Sequence, residues 1–313
     1  MRIVTPGTRE ANNGNWRTAV RWAAMLRGTC RTILQTTWDG EAADALVALH
    51  AQRSAPSLRA FHERSPGRSI GLVLTGTDLY RDLALHREAG ESLEIADHLV
   101  VLQEDALAQL PAACRRKARV IFQSARALRP AARSSDRFTA VAVGHLREEK
   151  DPQTLFRAIA LLPRELPVRF LHVGAPLDEG LARLATQLAK SDPRYHWAGS
   201  LPHGLTRSAI KRAHVLVHPS RMEGGANVIV EAIMSGTPVI ASRISGNVGM
   251  LGKDYPGLFP LEDAPALATM LARAATERAF LERLRRACRE RRPLFLPARE
   301  AAAVRGFVRQ LLA

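Results

Sequence analysis

Short apolar runs alternate with amphipathic stretches along nearly the whole of the 313-residue chain, and this alternation limits the fold more than any other feature. Runs of this length, separated by helices, are the pattern of a parallel sheet buried on both faces. The first part predicts strands at 2–4, 32–35, 70–74, 98–102 and 119–122, with helices at 16–26, 41–51 and 79–89. Residues 125–137 are rich in Arg, Ala, Ser and Pro, lack an apolar period, and read as a linker. The alternation then resumes. Strands are expected at 139–143, 169–173, 195–198, 215–218 and 238–241. Helices are expected at 152–162, 179–190, 203–212, 227–235, 264–275 and 277–291, and at 297–312 after a proline break. The class is therefore α/β: two doubly wound Rossmann-like domains facing an interdomain cleft. The first covers 1–130 and is joined by the C-terminal helix 297–313; the second covers 131–296. Ligands of such sheets bind beyond the carboxyl ends of the strands, so the loops after the strands are where chemistry is sought.

Composition removes several classes. With 46% hydrophobic but only 5% aromatic residues, the cores must be aliphatic. No run approaches the roughly eighteen apolar residues of a membrane-spanning helix. The start, Met1 to Pro6, reads as a strand entering a loop rather than a signal peptide, which predicts a cytoplasmic protein without membrane insertion. The formal charge of +15 is carried almost entirely by Arg, spread over helix faces without a tail or interleaved aromatics. That pattern speaks against nucleic acid and suits a small anionic ligand. Cys30, Cys114 and Cys288 are odd in number and far apart, so idle thiols are expected. Neither an Asp-x-Asp element nor a His/Cys/Asp/Glu cluster with ligand spacing is present, which predicts metal-independent chemistry without a cofactor.

The most informative segment runs from His218 through Pro219 and Ser220 to Ala232. A strand ends there, glycines follow, and a helix begins near Asn227. Backbone N–H groups around Gly224, Gly225, Ala226 and Asn227 meet the positive end of the helix dipole, a ready phosphate cradle. Glu223 precedes the helix. Glu231 lies about one turn inside it, where a carboxylate can accept both hydroxyl hydrogens of a ribose. A second loop, Gly144 to Asp151, joins a strand to a helix opening at Pro152 and carries His145, Arg147 and Lys150. Cations fixed here would stabilise the negative charge that grows on a departing diphosphate. His172-Val173-Gly174 and the segment from Tyr195 to Leu201 read as strand ends that approach a nucleotide base, with Ser200 and Leu201 as candidates for backbone contacts to it. In the first half, Asn12, Asn13, Gly14, Asn15 and Arg17 open a helix and form a polar pocket for a small anion, or a loop capped by Asn15. Thr77 and Asp78 follow another strand, and Asp78 either caps the next helix or orients an acceptor.

The spacing of Glu223 and Glu231, with Pro219-Ser220 before and Gly236-Thr237-Pro238-Val239 after, resembles the Glu-x7-Glu motif of the retaining, family-four GT-B glycosyltransferases. The resemblance implies that Glu223 touches the transferred sugar, Glu231 holds the ribose and Lys150 binds the diphosphate. The family usually has Arg where this chain has His145, and Arg147 is the candidate for the missing charge. Residues 12–19, 76–80, 144–152 and 222–227 together are similar to the selenosugar synthases of selenoneine biosynthesis. That likeness implies attack of selenophosphate on the anomeric carbon of a UDP-sugar such as UDP-N-acetylglucosamine. UDP and phosphate are released, and a downstream selenoneine-pathway enzyme would be a partner. Other readings are an ordinary O-glycosyltransferase of cell-surface glycans, a nucleotide-sugar epimerase and a non-catalytic sensor. The Glu-x7-Glu spacing argues against the epimerase, and intact Lys150, Glu223 and Glu231 against the sensor.

Overall fold

The computed structural model of the chain describes residues 1–8, 14–129, 131–133 and 136–313. Contacts divide it into two units. One comprises Met1–Ser124, Glu223–Gly225 and Pro297–Ala313; the other comprises Ala125–Met222 and Ala226–Leu296.

The first unit holds β1 (Arg2–Val4), β2 (Ile33–Gln35), β3 (Ala45–Leu49), β4 (Ser69–Val73), β5 (His98–Val101) and β6 (Ala118–Val120). They form one parallel sheet in the order β2-β1-β3-β4-β5-β6. Its helices are α1 (Gly14–Met25), α2 (Ala55–Arg64), α3 (Leu83–Leu85), α4 (Arg87–Ile95), α5 (Ala106–Gln109) and α6 (Ala112–Arg115), with a π-helical turn at Asp78–Asp82. The helix expected at 41–51 is a correction: its centre is the strand β3. Ala45-Leu46-Val47-Ala48-Leu49 is buried on both faces and paired on both edges, to β1 and to β4. An unbroken apolar run of Ala and Leu has no period to tell a buried strand from a helix. Its pleat sends Leu46 and Ala48 to a core with Leu58, Phe61 and Leu93, and Ala45, Val47 and Leu49 to the opposite core with Trp22 and Phe307. The helix that follows, α2, was not expected. The predicted helix at 79–89 is broken at His86, whose extended backbone separates α3 from α4.

The second unit holds β7 (Phe138–Val143), β8 (Val168–Val173), β9 (Tyr195–Trp197), β10 (Val215–His218), β11 (Val239–Ser242) and β12 (Leu258–Phe259). Here the parallel order is β12-β11-β10-β7-β8-β9. Central β7 pairs with β10 on one side and β8 on the other, Val141 lying opposite Leu216 and Leu171. The helices are α7 (Pro152–Leu161), α8 (Glu179–Ser191), α9 (His203–Arg212), α10 (Asn227–Met234), α11 (Ser245–Leu251), α12 (Ala264–Thr276) and α13 (Arg278–Arg291). Three of them start at an Asp whose side chain accepts a first-turn N–H: Asp151 from Thr154, Asp178 from Leu181 and Asp263 from Ala266. Such caps satisfy donors that the helix cannot. The segment α11 and the edge strand β12 were not expected.

The last helix, α14 (Pro297–Leu311), belongs to the first unit. Phe307 meets Trp22 edge-on, with ring centroids 6.1 Å apart. Glu300 lies fully buried, its carboxylate accepting from Arg21 Nε and Trp22 Nε1 at 3.0 Å and from the Ser124 amide at 2.8 Å. Among the described residues no helix is long and apolar enough to cross a membrane.

Candidate functional site

In the second unit the chain runs from β7 outward to β8 and β9, then returns to the other side of β7 to lay down β10 and β11. The reversal opens a crevice between the carboxyl ends of β7 and β10, the place where open parallel sheets bind ligands. A small open pocket lies there. Gly144 and Lys150 line it from the β7 side, His172 from β8, and His218, Pro219 and Ser220 from β10.

The loop after β7 is built tightly. Leu146 N–H donates to Ala175 O at 2.9 Å, and Ala175 N–H donates to His145 Nδ1 at 3.0 Å. A Cβ on Gly174 would lie 1.8 Å from Gly144 O, so only glycine admits this approach. Buried His172 reaches Gly144 O through Nε2 at 3.2 Å and the Tyr195 hydroxyl through Nδ1 at 2.9 Å. Burial lowers the His172 pKa to about 4 and raises that of the Tyr195 phenol, so at neutral pH both are uncharged. The neutral imidazole then donates to Gly144 O and accepts from the phenol. Lys150 closes a short 3₁₀ turn, Glu148–Lys150, and its stem packs over Gly144. Next to it, Asp151 takes a left-handed conformation (φ 43°) to cap α7. Arg147 lies 3.7 Å from Glu149. Arg221, following β10, ties the same loop down, its N–H donating to Glu149 O at 2.9 Å and its guanidinium 3.3 Å from Glu148. Gly144, His145, Arg147 and Lys150 thus stand on one braced loop.

Around α10 the structure refines the expectation. The amides of Asn227 and Val228 precede the first intrahelical bonds, which Ile229 and Val230 make to Ala226 O. The Ala226 N–H, expected to face a phosphate, instead donates to Met250 Sδ at 3.1 Å, because α11 packs beneath the turn. Glu223, Gly224 and Gly225 group with the first unit. Their glycines have a packing cause there: a Cβ on Gly224 would come within 2.2 Å of Thr75 O, and one on Gly225 within 2.6 Å of Leu102 Cβ. Glu231 lies on α10 with its side chain 12% exposed, and His203 Nε2, at the first residue of α9, reaches its Oε1 at 2.7 Å. Ser200 and Leu201 sit just before α9, after the left-handed Gly199 (φ 66°), and Leu201 O accepts from Thr206 Oγ1.

Sequence reasoning missed His203. No spacing rule relates it to Glu231, 28 positions away. His172, expected only as part of a strand end approaching a nucleotide base, braces Gly144 O and the Tyr195 hydroxyl.

In the first unit, α1 begins at Gly14, so Asn15 lies inside the helix rather than at its cap. Arg17 is half-buried on the same turn. Asn12 and Asn13 lie outside the described residues. Asp78 is a correction. It is fully buried and its carboxylate accepts the N–H groups of Ala51, Thr75 and Gly76 at 2.7–3.1 Å, leaving no exposed atom for an acceptor. Thr77 Oγ1 contacts Nε2 of His50 at 3.0 Å, and Asp82 lies 3.6 Å from the same nitrogen. His50 is left-handed (φ 76°) and was hidden by the mistaken helix at 41–51. Among the described residues no group of three or more metal-ligating side chains comes together, and the three cysteines are free thiols.

The description "Glycosyl transferases group 1" matches residues 124–291, more than half of the chain. The chain belongs to this family. The matched stretch is the second unit almost entire, with the braced loop, the crevice and α10 inside it. A D-inositol 3-phosphate glycosyltransferase of Corynebacterium kroppenstedtii is 36% identical over 113 residues, 33% of this chain and 25% of that protein. The similarity thus spans about a quarter of the relative's length. Among solved structures, sucrose-phosphate synthase from Thermosynechococcus elongatus superposes with a TM-score of 0.78 at 19% identity, covering 99% of both chains. Anabaena HepE, solved in complex with UDP and glucose, gives 0.72 at 14% identity, covering 100% of this chain and 99% of its own. At such identities the likeness is one of fold. This family member has the GT-B architecture of two parallel-sheet α/β domains.

Proposed function

We propose that the second unit binds a UDP-sugar such as UDP-N-acetylglucosamine and that the protein transfers its sugar to selenophosphate. Selenium attacks the anomeric carbon, the bond to the UDP oxygen breaks, and water then releases phosphate, leaving a selenosugar. The observation that carries the donor half is the crevice between β7 and β10, where Lys150 lies over Gly144 and α10 opens beside the loop after β10. Lys150, Arg147 and the α10 amides supply positive potential for a diphosphate without a divalent ion. Glu231 is the ribose ligand in this reading and Glu223 the residue at the sugar. His145 and the backbone of Ser200 and Leu201 complete the donor contacts. Gly14, Asn15, Arg17 and Thr77 remain the acceptor candidates. The motif likeness at 12–19, 76–80, 144–152 and 222–227 supports selenophosphate.

A second reading replaces selenophosphate by an inositol phosphate, with an oxygen nucleophile. It is favoured by the name of the 36% identical relative. Both acceptors are small phosphates, in keeping with the charge of +15. Mass spectrometry of reactions with UDP-N-acetylglucosamine separates the two. A hexosamine–selenium product with selenophosphate alone supports the first, and a glycosylated inositol phosphate overturns it. Activity is expected to persist in excess EDTA. Loss that magnesium restores would mean that Lys150 and the helix amides do not hold the diphosphate unaided.

A further inference from the structure

Within the donor half, Glu231 stands out because its carboxylate is nearly buried and a residue from another helix grips it. The side chain is 12% exposed, and His203 Nε2 lies 2.7 Å from Oε1. A surface His–Glu contact is ordinarily weak. Here the acceptor is shielded from water, so a missing donor would leave a carboxylate oxygen poorly satisfied. The rest of the neighbourhood is fixed as well. Ser235 Oγ donates to Glu231 O at 2.6 Å. Arg207, one turn after His203 on α9, donates to Ser235 Oγ at 3.3 Å and to Arg126 O at 2.9 Å. Thr206 Oγ1 donates to Leu201 O at 3.3 Å, which ties the start of α9 to the loop carrying Ser200 and Leu201.

We infer that His203 is a positioning residue for the donor nucleotide: it sets the plane of the Glu231 carboxylate so that Glu231 accepts from both ribose hydroxyls. A carboxylate is planar, so anchoring Oε1 also fixes the direction of Oε2. Because His203 opens the helix that follows residues 200–201, the same turn links the ribose contact to the loop assigned to the base. The inference rests on the reading of Glu231 as the ribose ligand. It adds that ribose selectivity is set from α9 and not from α10 alone.

Calorimetry of UDP and 2′-deoxy-UDP with the wild-type protein, His203→Ala and His203→Gln tests it. The wild type is expected to prefer UDP. His203→Ala should bind UDP about tenfold more weakly, the scale of one hydrogen bond to a charged group. Its affinity for 2′-deoxy-UDP should stay within about twofold. His203→Gln, whose amide can still donate, should keep most of the preference at an unchanged melting temperature. If His203→Ala retains the full preference, or weakens both ligands equally, His203 does not position Glu231. A wild type that binds both nucleotides equally removes Glu231 from the ribose and the inference with it. A wild type that binds neither overturns the proposed function itself.

Discussion

At the scale of single residues, two side chains of the crevice behave in opposite ways. His172 must stay neutral, because it is buried among Gly144, Tyr195 and Phe156. Its pKa falls from 6.5 to about 4 in the folded protein, chiefly through burial. Between these values the unfolded chain binds the proton and the folded chain does not, so stability is complete above about pH 6.5 and is lost as pH falls toward 4. The full loss is about 3 kcal/mol for a shift of this size. Urea denaturation at pH 7 and pH 4.5 should show that slope in the wild type. It should flatten in His172→Gln, and an equal slope in both would place the proton elsewhere. The stem of Lys150 is seated on Gly144, and in the proposed reaction its charge counts most as UDP departs. Lys150→Ala should therefore lower kcat by about 10² or more, on the scale of one lost stabilising donor. An unchanged kcat at saturating donor would remove it from the leaving group. Cys288, buried beside the Tyr255 hydroxyl, has its thiol pKa pushed up to about 11 and carries no thiolate for chemistry.

At the scale of elements, the loop after β7 depends on the loop after β8 through one atom of clearance. Gly174→Ala would place a Cβ 1.8 Å from a backbone oxygen, which cannot rotate away. We expect it to cost about 1–3 kcal/mol and to weaken UDP binding together with stability, since the 144–150 loop must shift. Gly306, inside α14, meets nothing within 4 Å, so Gly306→Ala should stabilise by about 1 kcal/mol through helix propensity alone. Melting curves and UDP titrations of the two variants should diverge. If Gly174→Ala binds UDP normally, the loop after β7 is not the phosphate contact.

At the scale of the whole molecule, the chain's end completes its beginning. Glu300 of α14 is the buried acceptor for Arg21 and Trp22 of α1 and for Ser124 at the end of the first unit's main segment. Glu300→Ala leaves Arg21 and Trp22 Nε1 without that acceptor, and breaking a buried pair from one side costs about 3–5 kcal/mol. Chemical denaturation should show the loss in the first unit, while the UDP binding proposed for the second should persist at low denaturant. A stability change below about 1 kcal/mol would mean that packing of Phe307 and Val304, rather than the carboxylate, holds α14 in place.

Periodicity and turn chemistry are local, and what depends on them was legible in the amino-acid order. Most of the second unit was legible, because α7, α8, α9 and α12 open at Asp or Pro and β7, β8 and β10 run straight into Gly or Pro. Gly144, Lys150, Asn227 and Glu231 stood out for the same reason: each is fixed by its distance from a strand end or a helix start. Only the tertiary structure decided the rest. Ala45–Leu49 is a strand because neighbours pair with both its edges, a fact absent from its own five residues. Ala226 turns its N–H to Met250, Asp78 spends its carboxylate on the backbone, and His203 meets Glu231, all through segments distant in sequence or folded back on themselves. A hydrogen bond ends at an angstrom-scale position, whereas a sequence pattern locates a residue only on a face or in a turn. That is why the elements could be read in advance and the partners of their side chains could not.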